Sequence, residues 1–145
     1  MDQPSQQDIT DRFSFGLHTA SRLVKNISVA QLKELELSQA QWRTLSMVCT
    51  QPQATLQQLT AFAHISQPLL SQAVKSLEER GFVSRETPEQ DKRSSLIVAT
   101  QEGIQLYGQA YAAMMKVEDK ISAVLGKRDG AKFKALLNTL ISGLE

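Results

Sequence analysis

This sequence predicts a mainly helical fold carrying one small β-hairpin, and three observations predict it. Up to Gly81, apolar residues recur every three or four positions, the period of an amphipathic helix. From Phe82 to Thr100 the period drops to two in segments rich in β-formers, as in paired strands. After Thr100 the helical period returns and lasts to the end of the 145 residues.

Ile9, Phe13, Leu17, Ala20, Val24 and Ile27 form one stripe. Ile9 to about Leu35 is therefore expected to be a single long helix, with Gly16 lowering its propensity. Ser38 followed by Gln41 is a capping-box signature. It opens a second helix whose buried side is Trp42, Leu45 and Val48, flanked by Met47. Pro52 cannot continue that helix. Thr55 and Gln58 repeat the capping box for a short helix, Leu56 to Ala63. A turn, His64 to Ser66, leads into a fourth helix. Ser66 caps it, Pro68 sits in its first turn, and it runs to Arg80 before Gly81 stops it.

Phe82 to Thr87 and Ser95 to Thr100 are the expected strands, flanking a polar tip from Pro88 to Ser94. Thr100 is placed to cap a long helix with Ile104, Tyr107, Tyr111, Met114, Val117, Ile121 and Leu125 on one side. "LGKRDG" breaks it, and a last helix carries Phe133, Leu136, Leu137, Leu140, Ile141 and Leu144.

Composition limits the function classes. The chain is long enough for one compact domain, or a domain with helical arms. Apolar runs such as "LIVA" at Leu96 to Ala99 fall far short of the roughly 18 residues of a membrane span, so no membrane partner is expected. "MDQPSQQDITD" lacks the basic-then-apolar order of a signal peptide, and the cytoplasm is the expected compartment. One cysteine, Cys49, excludes an internal disulfide and a multi-cysteine zinc site. His18 and His64 have no acid or thiol at ligand spacing, so no metal is expected. No Ser-His-acid set, glycine-rich phosphate loop or paired carboxylates stand out; neither an enzyme nor a cofactor is expected.

Net charge is +1, and between Gln67 and Ser95 five cations face five acids. Any electrostatic role must therefore depend on where the charges point. Two short helices joined by a tight turn and followed by a hairpin give a winged helix-turn-helix order. On a wheel of the Ser66–Arg80 helix, Leu70, Ala73, Val74 and Leu77 face the core. Pro68, Gln72, Lys75 and Glu79 face outward, with Leu69, Ser71 and Ser76 at the flanks. The first turns carry Gln67, Ser71, Gln72 and Lys75 and no acid. Glutamine can bond adenine, lysine can reach guanine or phosphate, and leucine can touch a thymine methyl. Glu78 and Glu79 lie about 18 Å along the axis from Ser66, at about 1.5 Å per residue. The alternative is an ordinary amphipathic helix with a polar outer face. At the hairpin tip, Lys92 and Arg93 suit a narrow, negative minor groove, and Asp91 is expected to pair with Arg93 and orient its guanidinium. The alternative there is an exposed ion pair of little consequence.

"LSQAQWRTLSMV", "ATLQQLTAFAHISQPLLSQAVKSLEERGFVSRE", "DKR" and "LIVATQEG", taken in order, resemble the MarR family of bacterial transcriptional regulators over nearly the whole chain. The resemblance implies a homodimer on a pseudo-palindromic site in double-stranded DNA, probed by the fourth helix in the major groove and by Arg93 in the minor groove. It implies a repressor whose DNA binding is relieved by a ligand held between the dimer helices and the DNA-binding lobe. A winged-helix protein-interaction module without DNA binding is the alternative. The expected division is 1–36, an N-terminal dimerisation helix; 37–100, the winged helix-turn-helix lobe; and 101–145, C-terminal dimerisation helices.

The expected DNA-facing set is Thr55, Ser66, Gln67, Pro68, Leu69, Ser71, Gln72, Lys75, Lys92 and Arg93, with Asp91 orienting Arg93. Gln72 stands where the family often has a basic residue, and Leu69 where it often has a small hydroxyl residue. Fewer cations imply a shallower salt dependence. His18, Arg22, Trp42, Arg43, Met47, Tyr107 and Tyr111 lie on helices that the resemblance puts around the cleft, where they suit a small aromatic or anionic effector. Ordinary core packing is the alternative for the aromatics and Met47. Independently of the resemblance, apolar stripes at both chain ends are more than one small lobe can cover, which argues for a dimer over a larger monomeric core. Cys49 falls near a helix C-terminus, whose dipole disfavours a thiolate. It is expected to be buried and inert.

Overall fold

The computed structural model describes residues 3–145. Its elements are α1 (Gln6–Thr10), α2 (Phe13–Leu32), a 3₁₀ turn (Lys33–Leu35), α3 (Gln39–Thr50), β1 (Ala54–Thr55), α4 (Leu56–Ala63), α5 (Gln67–Glu79), β2 (Val83–Glu86), β3 (Leu96–Ala99), α6 (Gln101–Leu125) and α7 (Lys127–Leu144). No helix among the described residues is long and apolar enough to cross a membrane.

The long first helix expected from Ile9 is divided. Ser5 and Asp8 form a capping box that starts α1 three residues earlier, at Gln6, and Arg12 is extended at φ −76°, ψ 140° before α2 begins. The apolar stripe steps from Ile9 to Phe13 across this break, so spacing alone cannot register it. At the other end, α2 closes in a Schellman arrangement. The Leu37 N–H donates to the Leu32 carbonyl at 3.3 Å and the Glu36 N–H to Lys33 at 3.0 Å, with Glu36 left-handed at φ +53°.

The capping boxes at Ser38–Gln41 and Thr55–Gln58 both form. α4 ends on His64 at φ +50°, and this left-handed residue turns the chain into α5. α5 closes on Gly81, whose φ of +80° strains any residue with a Cβ. The Phe82 N–H completes that end by donating to Leu77 at 2.9 Å.

The sheet has three strands, not the two of the expected hairpin. β3 lies between β1 and β2, both antiparallel to it, with Ala54 opposite Ile97 and Val83 opposite Ala99. β1 escaped notice because two residues show no period. β1 precedes α4 and β2 follows α5, and most residues of the β2–β3 tip are exposed. The lobe core holds Leu45, Leu59, Leu70, Val74, Leu77 and Ile97, all fully buried, with Leu32, Leu106 and Ala110 joining from α2 and α6.

α6 is fixed to the sheet at its first turn. The Thr100 hydroxyl accepts from the Gly103 N–H at 3.1 Å and donates to the Gly81 carbonyl at 2.6 Å. A Cβ on Gly103 would overlap the Phe82 carbonyl oxygen. The break expected over "LGKRDG" is confined to Gly126, and Lys127 to Gly130 already belong to α7. α7 has no buried residue at all. Phe133, Leu136, Leu140, Ile141 and Leu144 are exposed along it, as are Ile9 on α1, Phe13, Phe15 and Leu17 on α2, and Val124 on α6; Phe13 is 92% accessible.

Candidate nucleic-acid interface

α5 divides as its wheel predicts. Leu70, Ala73, Val74 and Leu77 are buried, while Gln67, Pro68, Leu69, Gln72 and Lys75 are exposed and Ser71 is half-buried. Ser66 has N-cap geometry (φ −64°, ψ 147°), but its hydroxyl makes no cap bond. The hydroxyls of Ser5, Ser38, Thr55 and Thr100 all accept a cap bond from the helices they start. The first turn of α5 thus combines an uncommitted hydroxyl, unpaired backbone N–H groups and the positive end of a helix dipole, a combination that favours an anion. Thr55, by contrast, is half-buried and its hydroxyl accepts from Gln58 N–H at 3.2 Å.

Side chains outside the expected DNA-facing set hold α5 in place. The Gln41 side chain accepts from Ser38 N–H at 2.8 Å and donates to the Ser76 hydroxyl at 2.7 Å, so the cap of α3 is also a tie to α5. Gln41, Leu69, Gln72 and Ser76 line an open cleft of about 210 Å³ there. Arg85 on β2 pairs with Glu78 on α5 at 3.1 Å, which neutralises one of the acids near the interface and braces the wing. Arg80 donates to the Glu36 carbonyl at 2.8 Å and the Leu35 carbonyl at 3.3 Å, with its guanidinium 5.0 Å from the centre of the Phe82 ring. These partners lie 7 to 45 residues apart, and no local pattern announces them.

The wing corrects one expectation. Asp91 does not pair with the Arg93 guanidinium. Its carboxylate accepts from the Arg93 backbone N–H at 3.0 Å and the Ser94 hydroxyl at 3.3 Å. In a tight turn the N–H two residues on lies closer to a carboxylate than the end of a long side chain does. Asp91 therefore shapes the loop that carries Arg93. The described ion pairs are Arg85–Glu78 and Arg128–Asp129; among the described residues the exposed Arg93 guanidinium has no carboxylate partner.

The residues expected around a ligand separate into two groups. Trp42 stacks on Tyr107 with centroids 5.7 Å apart and planes 14° from parallel, and Tyr107 meets Tyr111 at 6.0 Å. Trp42, Met47 and Tyr107 pack against the lobe core, while His18, Arg22 and Arg43 are exposed. None of the seven lines the 210 Å³ cleft, or a second of about 460 Å³ formed by Ala30, Gln31, Glu34, Leu35, Gln109, Ala112, Ala113 and Lys116 between α2 and α6. Cys49 is half-buried, and burial pushes its thiol up to about 11.

With this geometry in view, comparisons with known proteins are informative. Residues 37–95 match the model of the MarR family, a span that contains α3, β1, α4, α5, β2 and the hairpin tip and stops before β3. The HTH-type transcriptional regulator YwoH of Bacillus subtilis (strain 168) is 27% identical over 125 residues, 86% of this chain and 90% of its own length. Among solved structures, the transcriptional repressor CouR bound to a 23-mer DNA duplex superposes with a TM-score of 0.86 at 20% identity, covering 99% of this chain and 100% of that one. BpsR of Bordetella bronchiseptica, described with regulation of its DNA binding by 6-hydroxynicotinic acid, has a TM-score of 0.86 at 17% identity, covering 95% and 97%. These structural likenesses establish a shared fold over almost the whole chain.

Proposed function

We propose that this chain, whose residues 37–95 match the model of the MarR family, is a transcriptional regulator that binds specific double-stranded DNA as a homodimer. α5 enters the major groove by its N-terminal turns, reading bases with Gln67, Leu69, Ser71, Gln72 and Lys75. Ser66 and the first-turn N–H groups hold phosphate, and Arg93, with Lys92 beside it, reaches the adjacent minor groove. The single observation carrying this reading is the exposed Arg93 guanidinium, without a carboxylate partner among the described residues, on a wing shaped by Asp91, together with an acid-free first turn of α5.

The exposed apolar residues of α1, α2 and α7 supply the contact between protomers. Residues 1–36 and 101–145 serve as dimerisation arms around the 37–100 lobe. The chain acts as a cytoplasmic repressor, released when a small aromatic or anionic ligand settles against the Trp42–Tyr107–Tyr111 ladder, with His18, Arg22, Arg43 and Met47 around it. Ligand-regulated DNA binding in BpsR and the DNA-bound repressor CouR support that extension. The ligand acts by favouring a lobe spacing that misfits major grooves repeating at about 34–36 Å.

Selection of duplexes from a random pool, followed by binding titrations over a range of salt, tests the proposal. Arg93→Ala is expected to lose most operator affinity and to flatten the salt dependence by about one unit of log–log slope. Failure to select any duplex, or an unchanged slope and affinity in Arg93→Ala, would favour a protein-interaction module instead.

A further inference from the structure

Two helix ends of the same kind meet beside the recognition helix. α2 closes on left-handed Glu36 and α5 closes on left-handed Gly81, each with its Schellman hydrogen bonds. Such an end leaves carbonyl groups facing outward. Arg80, the last residue before Gly81, donates to two of them across the gap, the Leu35 and Glu36 carbonyls. Its guanidinium rests on Phe82, the residue whose carbonyl faces Gly103 at the start of α6 and accepts from the Thr100 N–H at 3.0 Å. The C-terminal end of α5 is therefore the point where the exit of α2 and the entry of α6 are joined.

Glu36 makes this joint conditional. A left-handed residue with a Cβ is strained, and glycine would occupy that position without strain. Arg80 holds the strained turn through two charge-assisted bonds to its carbonyls. A planar, five-donor group suits two carbonyls and a ring face together, which a lysine cannot match.

We infer that Arg80 is a positioning residue: it sets the angle between the recognition helix and the arms of the dimer, and so the spacing of DNA half-sites that the dimer accepts. The inference rests on the DNA-binding reading above. Arg80 lies at the far end of α5 from the proposed base contacts, so it acts through the orientation of α5 and not by touching DNA. Loosening the joint lets the two recognition helices adopt a wider range of separations. Loss of Arg80 therefore relaxes the choice of spacing, whereas loss of a DNA contact weakens binding at every spacing.

The test uses full-length chain and the duplex recovered by selection. It adds versions lengthened or shortened by one base pair between half-sites, a displacement of about 3.4 Å. Wild type, Arg80→Ala, Arg80→Lys and, as control, Arg93→Ala are compared. Arg80→Ala is expected to keep the salt slope of wild type while its discrimination between spacings falls by about fivefold or more. Arg80→Lys falls between the two, and decides the matter if Arg80→Ala does not fold. Arg93→Ala loses affinity with discrimination retained. If either Arg80 variant loses stability or affinity but discriminates as wild type does, Arg80 is a structural brace only and the inference fails. If Arg93→Ala relaxes discrimination as much as Arg80→Ala does, spacing does not depend on this joint. If wild type selects no duplex, the DNA reading falls and takes this one with it.

Discussion

Arg93 and Asp91 illustrate how single residues in the wing divide the work. The aspartate fixes the backbone by accepting from the Arg93 N–H, and among the described residues the guanidinium is left without a carboxylate partner. That an acid sits beside the cations of the hairpin tip was legible in the sequence; which atoms it bonds was not, because backbone and guanidinium donors are equally available in a one-dimensional reading. Cys49 carries a separate prediction. Its thiol is raised by burial from the ordinary value of 9.0 to about 11, so the folded chain holds the proton more tightly than the unfolded chain. Its contribution to stability is complete below pH 9 and is lost as pH rises toward about 11. Iodoacetamide at pH 8 should label the native protein far more slowly than the denatured one, and Cys49→Ala should remove that component of the alkaline loss of stability. Rapid native labelling would mean that the thiol is not held as the structure has it.

Elements were legible where their signals are local. Of the four capping residues predicted on this basis, Ser38, Thr55 and Thr100 start helices through side-chain bonds, Ser66 starts α5 by its backbone geometry alone, and Gly81 ends α5 in the conformation glycine favours. The break before α2 was missed because a four-residue apolar step spans it, and β1 was missed because its two residues form a strand only through pairing with β3. The junction of α6 with the sheet is the most demanding of these contacts. Gly103→Ala would drive a Cβ into the Phe82 carbonyl, and backbone cannot yield as a flexible side chain does. Denaturant titration should show a loss of about 1–3 kcal/mol or more. Gly108→Ala on the same helix, where added carbon meets nothing within 4 Å, should be neutral or slightly stabilising. Equal effects of the two would contradict the close approach.

For the whole molecule, the arms matter more than the lobe. The lobe encloses its own core, but α7 buries nothing and Leu136 is 58% accessible. A row of large apolar side chains left in water over a full helix is the surface that the proposed dimer would cover. Leu136→Asp together with Ile141→Asp should shift the chain toward monomer in sedimentation. It should also abolish the rise of thermal midpoint with protein concentration that an associating wild type shows. Concentration-independent melting of wild type as a monomer would remove the basis for paired recognition helices.

Sequence alone determined which segments are helical, where most of them begin, which face of α5 is buried, and that a charged tip follows it. Those properties follow from the order of side chains along a few turns of chain. Only the tertiary structure decided that Asp91 serves the backbone, that Arg80 ties two helix ends together, and that the terminal arms remain uncovered. Each of these depends on which distant groups folding brings within 3 or 4 Å, about the reach of a hydrogen bond or an apolar contact. A linear pattern carries no measure of that distance.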